Sequence, residues 1–285
     1  MMNAIELNAV CKSFGDFAIE NLNFALPEGT ICGLVGENGA GKSTTIRLLM
    51  GALRPDSGEI SVLGMAPGDP AFRKAKEDIG VVLEDSYFPE CLDAAVIGKI
   101  MAETYRNWDQ TLYERYLERF SLPKKKRFKD YSRGMRMKLG IAVALSHHPK
   151  LLVLDEPTAG LDPIVRDEVV ELFREFALES EEHSILISSH ILSDLEKLCD
   201  SIAFIHQGKL LFCEEKDALL ESTGVFVGTA AQAEELDEAA IIGRESSGLG
   251  GVRMLVRRSM VPAGVTLEKP TVEDIILFTV KGAKR

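Results

Sequence analysis

The run Gly36-Glu37-Asn38-Gly39-Ala40-Gly41-Lys42-Ser43-Thr44 brings together the groups needed to hold a polyphosphate. Gly36, Gly41, Lys42 and Ser43 fit the spacing G-x-x-x-x-G-K-[ST]. In that pattern successive backbone N–H groups wrap the phosphates, the lysine neutralises them, and the hydroxyl reaches Mg²⁺. Gly36, Asn38, Gly39, Ala40, Gly41, Lys42, Ser43, Thr44 and Thr45 are the candidate phosphate-binding set. A glycine-rich turn that bound nothing would have no reason to keep Lys42 and Ser43 in register. A second constellation, Leu151-Leu152-Val153-Leu154-Asp155-Glu156, closes an apolar run with two carboxylates. Asp155 suits Mg²⁺, and Glu156 suits orienting or deprotonating an attacking water for in-line phosphoryl transfer.

These groups need elements that bring them to one edge. Ile31-Cys32-Gly33-Leu34-Val35 is an apolar strand feeding the loop. Residues 45–50 have helical character, so a positive helix N-terminus faces the phosphates. Upstream, residues 5–10 and 17–26 read as strands separated by turns at Gly15-Asp16 and Pro27-Glu28-Gly29. Residues 60–63 and 79–83 are further strand candidates. From Asp93 the pattern becomes helical, over 94–105, 110–120 and 136–146, which indicates an inserted helical subdomain of about residues 86–146. Apolar strands at 151–154 and 184–188 alternate with helices at 167–180 and 193–198, the pattern of a parallel sheet with crossovers. Past residue 220 Gly and small residues increase. A strand at 252–256 and a capped helix after Pro270 then suggest a small C-terminal α+β accessory domain, 221–285, following a main unit at 1–220.

The chain has 285 residues and a formal charge of −11. An acidic field repels polyanions, so no nucleic-acid partner is expected. No apolar stretch approaches the roughly 18–20 residues of a bilayer span, and Met1-Met2-Asn3-Ala4-Ile5-Glu6 is not a secretory start. A cytoplasmic chain is expected. Cys11, Cys32, Cys91, Cys199 and Cys213 are scattered, with no C-x-x-C pair, and read as reduced thiols.

Together these motifs resemble the ATP-binding subunit of an ABC transporter over residues from about 4 to 220. The stretch Asp155-Glu156-Pro157-Thr158-Ala159-Gly160-Leu161-Asp162-Pro163 resembles that family's Walker B motif and D-loop, and Ser188-Ser189-His190 its switch-histidine segment. Phe14 sits where the family stacks an aromatic ring on adenine. The resemblance implies an α/β fold with a P-loop NTPase (RecA-like) core, an N-terminal antiparallel β subdomain and the helical insertion. It implies ATP and Mg²⁺ as ligands. It also implies catalytic roles for Glu156, His190 and Glu84, metal ligation by Ser43, Glu84 and Asp155, and nucleotide contacts from Phe14, Ser132, Gly134 and Asp162.

Two segments depart from the family pattern. Tyr131-Ser132-Arg133-Gly134-Met135 stands where Leu-Ser-Gly-Gly-Gln is common, keeping Ser132 and Gly134. Glu84 stands where a glutamine is usual; an acid still ligates Mg²⁺ and accepts from water but cannot donate as an amide does. By resemblance the signature segment reaches across a head-to-tail homodimer or heterodimer to ATP on the other subunit. The basic run Lys124, Lys125, Lys126, Arg127, Lys129, Arg133, Arg136 and Lys138 reads either as a solvated face or as a phosphate- or membrane-attracting patch. Transport work requires membrane-spanning permease subunits, with the chain peripheral on the inner face of the membrane. The loop with Tyr87, Phe88 and Pro89 is either part of the permease-receiving surface or ordinary core. The altered signature and the Tyr105-Arg106-Asn107-Trp108-Asp109 stretch resemble ATPases of bacterial ABC-2-type exporters, such as bacitracin-resistance and sodium-extrusion systems. The alternative is a soluble ABC ATPase acting in translation or DNA repair. One cassette, no sustained heptads and an acidic charge weigh against it.

Overall fold

The computed structural model describes residues 2–83, 88–247 and 251–283. β1 (Asn3–Phe14) and β2 (Phe17–Pro27) form an antiparallel hairpin, followed by β3 (Ile31–Val35), α1 (Lys42–Leu49), β4 (Ser57–Val62), α2 (Phe72–Ala75) and β5 (Ile79–Val82). Three helices follow, α3 (Ala94–Thr104), α4 (Gln110–Arg119) and α5 (Arg133–Leu145). The chain then alternates through β6 (Leu151–Asp155), α6 (Pro163–Glu179), β7 (Ser184–Ser189), α7 (Leu192–Leu198) and β8 (Ser201–His206), before β9 (Lys209–Glu215). α8 (Lys216–Ser222) leads to β10 (Thr223–Thr229), α9 (Ala230–Ala233), β11 (Ile241–Ser247), β12 (Gly251–Arg257) and α10 (Val272–Ala283).

The central sheet has the order β5-β6-β7-β3-β8-β9, parallel except for β9 at its edge. Its strands are apolar on both faces because both faces are covered. Leu152, Leu154, Ile185, Ile187, Ile202 and Phe204 face one core with the α3–α5 helices, including Ile97, Tyr113 and Leu139. Leu151, Val153, Leu186, Ala203 and Ile205 face another, shared with α1 and the β2-β1-β4 sheet. The period-2 alternation thus sorts neighbouring residues into two different cores.

Several bounds differ from the sequence expectation, each for a local reason. β1 extends well beyond residues 5–10, because register shifts around Ala9, at φ +50°, interrupt the alternation without ending the strand. α1 starts at Lys42 rather than residue 45, turned in directly by Gly41 at φ +118°. α5 starts at Arg133 rather than 136, capped by the Ser132 hydroxyl, which accepts the Met135 N–H at 3.3 Å. α6 starts at Pro163, where Asp162 accepts from the Ile164 and Val165 N–H groups at 3.2 and 3.1 Å. α10 is capped as its sequence suggested: Thr271 and Asp274 exchange side chain-to-backbone hydrogen bonds of 3.1 Å each.

Candidate functional site

β3 delivers the phosphate loop at its C-terminal end, with β7 beside it and β6 next beyond. That edge is where parallel α/β sheets place ligands. A cleft of about 730 Å³ opens there, lined by the loop residues Glu37 to Gly39 and Gly41 to Thr44 and by Phe17, Arg133, Glu156, Ala159, Gly160 and His190. Gly41 must be glycine twice over: its φ is +118°, and a Cβ there would lie 2.7 Å from Ile19 Cδ1. The loop is tied down by Gly208 N–H donating to the Ala40 carbonyl at 2.9 Å, and by Thr45 Oγ1 and N–H, which both donate to the Gly41 carbonyl. Thr45 therefore shapes the loop from a buried position at the base of α1, while Ser43 and Thr44 line the cleft. Lys42 Nζ donates to the Gly36 carbonyl at 2.7 Å and stands 3.4 Å from Glu156 Oε1.

The second wall comes from β6 and β7. Asp155 and Ser188 are register partners on these strands, and the Ser188 hydroxyl donates to Asp155 Oδ1 at 2.6 Å while accepting the Glu156 N–H at 3.0 Å. Glu156 adopts φ +51°, a conformation costing a side-chain-bearing residue on the order of 1 kcal/mol or more. Its carboxylate spans the cleft between two partners: Oε1 toward Lys42 and Oε2 hydrogen-bonded to His190 Nδ1 at 2.6 Å. Glu156 is buried, whereas the His190 ring is about half exposed, so the histidine faces the cleft mouth.

Other predicted residues, Phe14, Ser132, Gly134 and Asp162, are not among those lining the cleft. Of the signature segment, Arg133 borders the cleft, while Ser132 caps α5 and Gly134 packs under Leu161. Asp162 caps α6. Phe14 is partly exposed, with Lys12 Nζ 5.6 Å from its ring centre, and its register partner Phe17 is the aromatic that lines the cleft. Glu84 and Tyr87 lie outside the described residues. Phe88 meets Phe128 edge-on at 5.6 Å and, partly buried, packs against the core that contains the α3–α5 helices. Part of the basic run is absorbed by local partners: Lys124 pairs with Glu114, Lys138 with Glu168 at 2.8 Å, and Arg136 donates to the Lys129 carbonyl while covering the Phe128 ring.

Comparison with known proteins decides the family. A family profile described as ABC transporter matches residues 19–159. Over 99% of this chain and 92% of the relative, it is 32% identical to the uncharacterized ABC transporter ATP-binding protein YhcH of Bacillus subtilis. This chain belongs to the ABC transporter ATP-binding subunits. The family member BcrA of Bacillus licheniformis, a bacitracin transport ATP-binding protein, is 40% identical over 74% of this chain and 69% of its own length. A solved ATP-binding subunit of an ABC transporter superposes with a TM-score of 0.69 at 28% identity, covering 76% of this chain and 92% of that one.

The subunit hydrolyses ATP in support of membrane transport. Among its described residues no helix is long and apolar enough to cross a membrane. Two oxygen donors suit a hard cation: Ser43 lines the cleft, and the buried Asp155, next to the cleft-lining Glu156, accepts at Oδ1 from Ser188. The described residues contain no group of three or more metal-ligating side chains, and Mg²⁺ characteristically takes one or two protein oxygens plus phosphates and water. Ser188 and Phe17 are among the site residues to which the sequence alone assigned no individual role, as are the cleft-lining Glu37, Ala159 and Gly160. A polar residue near the end of a buried apolar strand beside the histidine was the available signal for Ser188; Phe17 had none, because it reaches the loop only through tertiary packing against Gly41.

Proposed function

We propose that this ABC ATPase works as an ATP-sandwich dimer that drives an exporter. In this reading the loop backbone from Gly39 to Thr45 and Lys42 grip the phosphates, and Ser43 and Asp155 would hold Mg²⁺. When bound, that ion would neutralise charge on the β- and γ-phosphate oxygens. Glu156 accepts the proton of the attacking water while His190 contacts the γ-phosphate and holds the Glu156 carboxylate in aim. Glu84 is proposed as a further metal-linked group. The observation that carries the reading is the convergence of Lys42, Glu156 and His190 on one cleft, with Glu156 bridging the other two.

In the same reading a partner subunit, homologous or identical, presents its ATP to Ser132 and Gly134, with Asp162 near the same seam; the exposure of Ser132 at the start of α5 supports it. Phe14 is proposed to reach adenine beside Phe17. Binding closes such a dimer and hydrolysis releases it, because ATP fills both interfaces while the products do not. Membrane-spanning permease chains would then hold the subunit on the inner face of the membrane, and the transport names of relatives such as BcrA favour export. Residues 1–220 are proposed as the cassette and 221–285 as an accessory domain. The test is an affinity pull-down of Glu156→Gln chain with ATP and Mg²⁺ from detergent-solubilised cells. The expected result is an ATP-dependent dimer together with a multi-span protein; recovery of ribosomes or DNA-repair proteins alone would overturn the transport assembly.

A further inference from the structure

Glu37 puts a carboxylate into a loop whose task is to hold phosphate. It lines the cleft together with Lys42, and its side chain is 68% exposed. The group that faces it is the His206 imidazole, whose Nδ1 lies 3.9 Å from Glu37 Oε2, too far for a hydrogen bond. That nitrogen is buried and has no hydrogen-bond partner among the described residues, although the ring as a whole is only 11% exposed. A buried polar atom left unpaired is costly and calls for an explanation. Here the explanation is at hand: a carboxylate waits about 1 Å beyond hydrogen-bond reach.

The β8–β9 hairpin fixes where the ring stands. His206 and Lys209 are register partners, so Gln207 and Gly208 form a two-residue turn, both at positive φ, +48° and +78°. The phosphate loop lies against this hairpin at three points. A Cβ at Gly36 would lie 2.4 Å from the Ile205 carbonyl oxygen, Glu37 faces His206, and the Ala40 carbonyl accepts the Gly208 N–H at 2.9 Å. Lys209 does not compete for Glu37, because its ammonium pairs with Glu20 at 2.9 Å. The ring is therefore held by its turn, and the exposed Glu37 side chain is the partner with room to move. An incoming triphosphate supplies the force, since a polyanion and a carboxylate in one cleft repel each other.

We propose that His206 is a positioning residue for nucleotide binding: when the triphosphate enters, the Glu37 carboxylate closes onto His206 and accepts the Nδ1–H, which draws its charge off the phosphate cradle. The inference rests on the assignment of the cleft to ATP. It gives the β8–β9 hairpin a part in nucleotide affinity that acts through Glu37 and touches no phosphate.

The test is titration of the full chain with a fluorescent ATP analogue and Mg²⁺. His206→Phe, which removes the donor, should lower ATP affinity about 10-fold, and His206→Asn, which keeps an N–H donor, should recover most of the loss. Glu37→Gln should bind ATP at least as tightly as wild type, because no charge then needs drawing off. In that background His206→Phe should change affinity by less than about 2-fold, the coupling expected of two residues acting as a pair. An equal loss in both backgrounds marks a merely structural role for His206 and would overturn the proposal, as would unchanged affinity in the single His206→Phe variant. A measurement that needs no change at His206 is its ring ¹⁵Nδ1 resonance, which should shift on adding ATP to the wild-type chain and stay put in Glu37→Gln; a shift of equal size in both would also overturn it. Failure of the wild-type chain to bind ATP at all would instead remove the ATP assignment itself.

Discussion

The edge of the central sheet and the C-terminal β10-β12-β11 sheet handle charge in opposite ways. At the central edge Lys42, Glu156, His190 and Arg133 line one cleft, and Glu156 enters it from a backbone at φ +51°. In the C-terminal sheet the charges close on one another: Arg253 pairs with Asp274 at 2.8 Å, Lys281 with Glu245 and Arg244 with Glu238, while Arg253 and Lys281 cover the Phe278 ring. The first pattern gathers paired charged groups around a cleft that a ligand can enter; the second closes them on one another along the sheet and α10. Parallel strands end together and expose their C-terminal loops on one edge, whereas antiparallel strands reverse and pair their side chains across the sheet.

Substitutions that change only the cleft should leave folding intact and remove chemistry. Glu156→Gln should lower ATP turnover by about 10²- to 10⁴-fold, the span of a general base, with ATP binding retained. Turnover near wild type in a phosphate-release assay would place the base elsewhere. Lys42→Ala should weaken ATP by about 10- to 100-fold, the loss of charged hydrogen bonds to the phosphates. Equilibrium binding with a fluorescent nucleotide measures it, and a change below 2-fold would break the assignment. Phe17→Ala should weaken ATP by roughly 10-fold through lost stacking, and Phe14→Ala by less, since Phe17 forms the cleft wall. The reverse order in the same titration would restore Phe14 as the principal aromatic.

The smallest effect belongs to the other sheet. Arg253→Ala should cost about 1 kcal/mol of stability, because it removes a partly exposed ion pair and a cation–ring contact. Thermal unfolding should show a slightly lower Tm, and ATP turnover should be unchanged. A large fall in turnover would mean that the two sheets are mechanically linked. A route for such linkage exists: α10 packs onto the main core through Val272, and the Val272 N–H donates to Glu196 in α7 at 2.7 Å, six residues beyond His190.

The local chemistry of the site was legible in the residues themselves. The order of Gly36, Gly41, Lys42 and Ser43 specified a phosphate loop, and an apolar run ending in Asp155-Glu156 specified a buried strand opening onto acid. Such motifs are readable because their spacing is fixed by backbone geometry over a few residues. α6 starts at its Asp162 cap, ahead of the repeating apolar pattern, so periodicity alone set the boundary too far along at 167. β8, β10 and β11 carried no clear signal, since short apolar or Gly-containing runs do not distinguish a strand from other buried chain.

Assembly across the sheet was decided only in three dimensions. The strand order places β7 between β3 and β6, and that insertion lets Ser188 clasp Asp155 and Glu156 while His190 meets the Glu156 carboxylate. Tertiary packing placed Phe17, and not its register partner Phe14, at the cleft wall, and brought Arg133 of α5 against Gly160 at the border of the same cleft. The sequence alone determined which groups this ATPase carries and which neighbours along the chain hold them, because those relations depend on local spacing. Which groups touch depended on long-range pairing and on packing against both faces of the sheet, to which short-range spacing is blind.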